Sequence, residues 1–264
     1  MDNTTLNYIK NKISNKPKVC ILLGSGLDSF ITKINNKNII SYNDIPNFHK
    51  TSVEGHKGEF ITGYINNTPV LCARGRFHYY EGFSFKQIGS IIEIFSLFNP
   101  KLSIITNSSG CLNTNWDIGN FMLANEFLDF SFIKSINIKK YIIRQNKYYK
   151  NSLKVALKNN ISLYQGTYSY TTGPTYETKA EIKEIINVGG DAVGMSTFPE
   201  FLKCKELKMD SIFLSCLTNY GAGLVNEKIN HEDVLKNASK AKNKFCRLLV
   251  NIIENIELQK KSKI

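Results

Sequence analysis

Eight apolar, β-prone runs punctuate this chain, at Val19–Leu23, Phe60–Ile65, Pro69–Ala73, Leu102–Thr106, Asn120–Asn125, Ser162–Tyr168, Ala192–Met195 and Ile212–Thr218, and each breaks off into turn residues. Runs of this kind predict strands. Between several of them, apolar side chains recur at helical spacing over Phe85–Phe98, Ser152–Asn159, Lys179–Val188 and Glu200–Leu207. A last helix is expected from about Glu232 to Leu258, where Val234, Ala238, Ala241, Phe245, Leu248 and Ile252 fall at three- and four-residue steps. Strands interleaved with helices predict an α/β architecture, a large central sheet covered by helices. At 264 residues and 42% hydrophobic content the chain can bury one sizeable core, and no linker or internal repeat divides it. We therefore expect a single domain over 1–264, with 1–17 as an N-terminal extension and 259–264 as a basic tail. Two stretches look looser and could be mobile loops: 133–150, rich in Lys, Asn and Tyr, and 220–230, which leads into the last helix.

Composition narrows the function classes. No run of apolar residues is long enough to span a bilayer, and the start MDNTTLNYIKNKISNKPK lacks an apolar core, so a cytoplasmic protein with no membrane partner is expected. The six cysteines form no CxxC pair, which argues against a zinc site or a disulfide framework and predicts reduced, buried thiols. A net charge of +12 could signal nucleic acid, but only four of the 34 basic residues are Arg and the lysines are spread along the chain. No nucleic-acid partner is expected. A positive field would still draw a small anion.

Chemistry-bearing residues gather where strands end. Gly24-Ser25-Gly26 follows the first run as a small-residue turn whose backbone N–H groups could meet an anion; it lacks the Gly-Lys-Ser/Thr of a Walker loop and the third Gly of a dinucleotide fingerprint, and by itself it could be an ordinary tight turn. Arg74-Gly75-Arg76-Phe77-His78-Tyr79-Tyr80-Glu81 packs two arginines and a histidine behind another run. The guanidinium fork suits phosphate oxygens, although an ion-pair network around Glu81 is the bland alternative. Thr106-Asn107-Ser108-Ser109-Gly110 and Gly194-Met195-Ser196-Thr197-Phe198-Pro199-Glu200 add hydroxyls at two further strand ends. In Gly173-Pro174-Thr175-Tyr176-Glu177-Thr178, Glu177 either favours the following helix dipole or offers two acceptors to a heterocycle with adjacent N–H donors. Asn219 and His231, each taken alone, read as turn and cap residues.

Together, GSGL, EGHKGE, GRFHYYEG, TNSSGCLN, GPTYET, VGMSTFPE and SCLTN stand in the order seen in the trimeric purine nucleoside phosphorylases, and from about Leu22 to His231 the chain resembles that family. The resemblance implies a phosphorylase/hydrolase-like fold with a mixed, barrel-like central sheet, and phosphorolysis of 6-oxopurine (deoxy)ribonucleosides such as inosine and guanosine in purine salvage. A methylthioadenosine or broad-specificity phosphorylase of the same fold is the alternative. It implies phosphate binding by Ser25, His56, Arg76, His78, the Ser108 backbone and Ser196; purine binding by Tyr176, Glu177 and Asn219; and ribose contacts from Tyr80, Met195 and His231. His78, Glu177 and Asn219 would carry the catalysis, with Glu81 supporting the histidine and tyrosine. Nucleoside and inorganic phosphate would be the partners, with no metal or organic cofactor, in a homotrimer. Asp28, the Ser108-Ser109 pair and Cys111 depart from the family pattern, where glycine, two alanines and glycine are usual.

Overall fold

In a computed structural model that describes residues 1–50, 57–133, 135–225 and 231–258, with side chains for all of these but 231–240, 257 and 258, the chain runs α1 (Asn3–Lys12), β1 (Val19–Leu23), β2 (Asn35–Ser41), β3 (Glu59–Ile65), β4 (Thr68–Arg74), α2 (Phe85–Ile88) and α3 (Ser90–Ser96). There follow β5 (Leu102–Cys111), β6 (Phe121–Asp129), β7 (Lys139–Ile142), α4 (Lys147–Lys158), β8 (Leu163–Tyr170), α5 (Lys179–Asn187), β9 (Ala192–Gly194), α6 (Phe198–Glu206), β10 (Ser211–Tyr220) and α7 (His231–Leu258).

The uninterrupted apolar runs are explained by burial on both faces. Along β1, Cys20 and Leu22 enter one core while Val19, Ile21 and Leu23 enter the other. β4 divides Leu71 and Ala73 from Val70 and Cys72 in the same way. A strand covered on both sides has no polar face, so its sequence does not alternate. On the first face lie α1, α3 and α6; on the second, α7 packs through Ala241, Phe245, Leu248 and Ile252, the pattern read from the sequence, with α4 beside it.

All ten strands join one mixed sheet. β1 is parallel to both β4 and β5, β5 is parallel to β10, and β10 is antiparallel to β6. From β6 the order passes in parallel to β8 and β9, and β9 returns antiparallel to β5. The strands β5, β10, β6, β8 and β9 thus close a ring, the barrel-like sheet the resemblance implied, with β4, β3 and β2 extending it beyond β1.

Several expectations need correction. The N-terminal extension packs against the domain: α1 sends Ile9, and the turn after it Ile13, into the core. The stretch 133–150 contains β7 and the first turn of α4. β7 was missed because it is a short, lysine-rich edge strand with no buried alternation, held to β6 by backbone pairing and by Lys140 on Glu126 at 2.9 Å. β2 escaped for the same reason, its Asn-rich residues being mostly exposed. The helix expected over 85–98 is two short helices meeting at Gly89, where a Cβ would come within 3.1 Å of Lys203 on α6. All six cysteines are free and buried. Among the described residues no helix is long and apolar enough to cross a membrane. Residues 226–230 and 259–264 lie outside the description.

Candidate active site

A cleft of about 320 Å³ opens where β1, β4, β5, β9 and β10 end. Strand ends supply backbone N–H groups and side chains at fixed angles, which is why ligands gather there. Every site residue expected from the sequence lines this cleft except the two outside the side-chain description: His56 is not among the described residues, and His231 opens α7 with its side chain undescribed.

One neighbourhood gathers a tight turn, hydroxyls, an imidazole and a buried guanidinium. Gly26, with φ of +75°, turns the chain after β1. Gly24 lies so close to β5 that a Cβ there would stand 2.5 Å from the Asn107 Cα. Its N–H donates to Thr106 Oγ1 at 3.0 Å, and Ser108 Oγ donates to the Ser25 carbonyl at 2.8 Å, so the turn is tied to β5. Arg76 is 1% exposed. Its Nη1 donates to Thr106 O and Ser196 Oγ, both at 3.0 Å, and to Thr197 Oγ1 at 3.4 Å. The Nε lies 3.1 Å from Glu200 Oε1, close enough for an ion pair but off the angles of a hydrogen bond. His78 Nδ1 and its backbone N–H meet Glu81 Oε1 at 2.8 and 2.9 Å. The carboxylate thereby orients the imidazole, which stacks on Tyr80 at 4.8 Å and 15°. Of the two residues Glu81 was expected to support, these hydrogen bonds reach the histidine.

Tyr80 leads to the middle of the cleft. Burial, with help from the Glu81 charge, pushes its phenol up to about 12, so it is a neutral hydroxyl at any ordinary pH. At Gly173, with φ of +69°, a side chain would meet Met195 Sδ at 2.5 Å and the Tyr80 ring at 3.0 Å, so these two residues stand together around one backbone segment.

The second polar neighbourhood holds Glu177 and Asn219. Glu177 Oε1 accepts from Thr171 Oγ1 at 2.6 Å. Burial raises its carboxyl above the usual glutamate range, and the Thr171 hydrogen bond works against that rise. Tyr176 beside it is 42% exposed, at the mouth. Asn219 sits just past a β-bulge, where the pairing of β10 with β5 slips between Leu217 and Asn219. The extra residue, Thr218, re-aims the side chain that follows it. Thr218 Oγ1 lies 2.9 Å from Asn219 Oδ1 and 3.2 Å from Ser109 O, and Asn219 Nδ2 donates to Tyr220 O at 3.1 Å. An amide has two N–H donors, so one remains for a ligand.

Sequence reasoning passed over four polar residues that build the site. Asn107, Thr197, Glu200 and Thr218 are fully or almost fully buried. Thr197 takes φ of +75°, an uncommon conformation for a β-branched residue, and its hydroxyl is 2.9 Å from Asn107 Nδ2. Asn107, Thr197 and Thr218 lay inside strand-end clusters already singled out. Glu200 closes the run that begins at Gly194, where the sequence attached no role to it.

The phosphorylase superfamily profile matches residues 18–254 of the chain. Purine nucleoside phosphorylase 1 of Geobacillus stearothermophilus is 33% identical over 94% of this chain and 95% of that protein. The purine nucleoside phosphorylase of Schistosoma mansoni, solved in complex with inosine, is 28% identical and superposes with a TM-score of 0.85 over 95% of this chain and 94% of that one. The same enzyme in complex with adenosine gives a TM-score of 0.85 over 95% of both chains. With both sequence and fold matched over nearly their whole length, the chain belongs to the purine nucleoside phosphorylases of the phosphorylase superfamily.

Proposed function

We propose that the cleft carries out phosphorolysis of 6-oxopurine ribo- and deoxyribonucleosides, as in cytoplasmic purine salvage. A phosphate oxygen bonds to C1′ of the sugar as the C1′–N9 bond breaks. The electron pair leaves with the base, which takes up a proton, and ribose 1-phosphate remains. Inorganic phosphate is the co-substrate, and the chemistry calls for no metal or organic cofactor.

The observation that carries this reading is one cleft with two unlike polar neighbourhoods joined through Tyr80 and Met195. Ser25, Arg76, His78, the Ser108 backbone and Ser196 suit phosphate, held beside a sugar that becomes cationic as its bond lengthens; its negative charge stabilises that state, and proximity adds to the effect. Glu177 suits the N–H donors of the six-membered ring. The remaining amide hydrogen of Asn219 suits a base gaining negative charge, so that contact strengthens toward the transition state. A 6-oxo group is an acceptor and fits an amide donor; a 6-amino group would fit a carboxylate. Tyr80, Met195 and His231 are assigned to the ribose and His56 to the phosphate side.

The test is release of hypoxanthine from inosine, followed in ultraviolet light with and without phosphate. Release only with phosphate is expected; equal rates in both would make the protein a hydrolytic nucleosidase. In the same assay inosine and guanosine should outrun adenosine, and Asn219→Asp should shift the ratio toward adenosine by about ten-fold or more. An unchanged ratio would remove Asn219 from specificity.

We also propose a homotrimer. Phe132, Ile133 and Ile136 are 53%, 41% and 90% exposed, in the stretch that follows β6, and Phe132 flanks a hollow shared with Tyr176 and Glu177. A neighbouring subunit would cover these side chains. Light scattering should return three times the chain mass; a monomer that turns over at full rate would refute the assembly.

A further inference from the structure

Behind the arginine of the anion neighbourhood lies a carboxylate that touches nothing else of opposite charge among the described residues. Glu200 is 0% exposed and Arg76 1%, with Nε to Oε1 at 3.1 Å. Neither Glu200 oxygen has a hydrogen-bond partner. A buried carboxylate is costly, and an ion pair in place of apolar packing brings little stability, so its presence asks for another explanation.

Arg76 supplies one. A guanidinium has five N–H donors in a rigid plane, so fixing one edge fixes the other. Nη1 is engaged by Thr106 O, Ser196 Oγ and Thr197 Oγ1, and Nε faces Glu200. Nη2 is buried with no partner, in a residue that lines the cleft. Thr197, held at positive φ, presents its hydroxyl to Arg76, and Asn107 braces that hydroxyl from β5 at 2.9 Å. The turn from β9 into α6 therefore delivers three groups to one guanidinium: Ser196, Thr197 and Glu200.

We propose that Glu200 is the positioning residue for Arg76, and that with Thr197 it sets the guanidinium plane so that the Nη2 donors are presented to phosphate. Glu200 acts through Arg76 and does not touch substrate. Its charge also balances Arg76 when no anion is bound, so the arginine keeps its place between turnovers and does not swing toward solvent. This rests on the assignment of Arg76 to phosphate made above.

The test is steady-state kinetics of Glu200→Gln, which keeps the shape and removes the charge, with Thr197→Val as a second variant that keeps the branching and removes the hydroxyl. In folded Glu200→Gln the KM for phosphate should rise about ten-fold or more while the KM for inosine stays within about three-fold, a split that general loosening of the fold would not produce. Glu200→Asp, which restores the charge one methylene further away, should recover part of the loss. If Glu200→Gln does not fold, Thr197→Val should show the same split in smaller measure. A phosphate KM within about two-fold of the parent in whichever variant folds, or equal rises in both KM values, overturns the proposal. Phosphate-independent turnover by the parent enzyme would instead overturn the phosphate assignment, and the positioning role with it, so the two failures read differently.

Discussion

With Glu177 assigned to the purine as proposed, base recognition depends on pH. Its carboxyl is raised by burial and lowered by the hydrogen bond from Thr171 Oγ1, and burial wins. The acceptor form is the carboxylate, so kcat/KM for inosine should climb with pH through that raised value and reach its plateau above the ordinary glutamate range. Thr171→Val removes the opposing hydrogen bond, at 2.6 Å, and should move the acid limb further up. A pH profile of kcat/KM measures this; a limb that does not move would detach it from Glu177. Arg76, His78 and Glu177 stood out in the sequence as members of polar clusters near strand ends, but their roles came from the family resemblance, since an ion-pair network or a helix-dipole carboxylate would leave the same local pattern. Glu200 was assigned none. Its meaning depends on Arg76, more than a hundred residues earlier, and no local pattern records a partner at that distance.

Among the elements, β5 and β10 decide the site. The sequence places a strand over Leu102–Thr106 and reads Asn107–Gly110 as the turn after it. β5 instead runs on to Cys111, because β10 pairs with it to Tyr220 and β9 pairs with its last two residues. Two flanking ladders give those small polar residues backbone partners that their own propensities would not predict. The same close assembly constrains Gly24. In Gly24→Ala the new methyl would press on the Asn107 backbone at 2.5 Å, against a strand already fixed on both sides. We expect a loss of about 2–4 kcal/mol of stability, visible in thermal unfolding, together with a raised KM for phosphate because the Ser25 turn is pushed away from β5. A parental melting temperature would mean that the turn yields cheaply. Elements that lie on an edge, β2 and β7, were illegible for the complementary reason: half-exposed Asn- and Lys-rich strands bury too little to leave an alternating pattern.

For the whole molecule, the net charge of +12 comes from basic residues spread along the chain. In the cleft Arg76 is paired with Glu200, so under the proposed phosphate assignment geometry more than bulk charge would select the anion. The sequence by itself determined the layered α/β class, the long terminal helix, the buried thiols and the strand ends where chemistry collects. Each follows from periodicity or from a cluster of neighbours in the chain, and local steric and solvation rules act over such short distances. Only the tertiary structure decided that β5, β10, β6, β8 and β9 close into a ring, that a bulge at Thr218 aims Asn219, and that Glu200 stands behind Arg76. Those facts depend on which distant segments share a backbone ladder or a buried charge, and the free energy that selects them exists only once the cores on both faces of the sheet have formed.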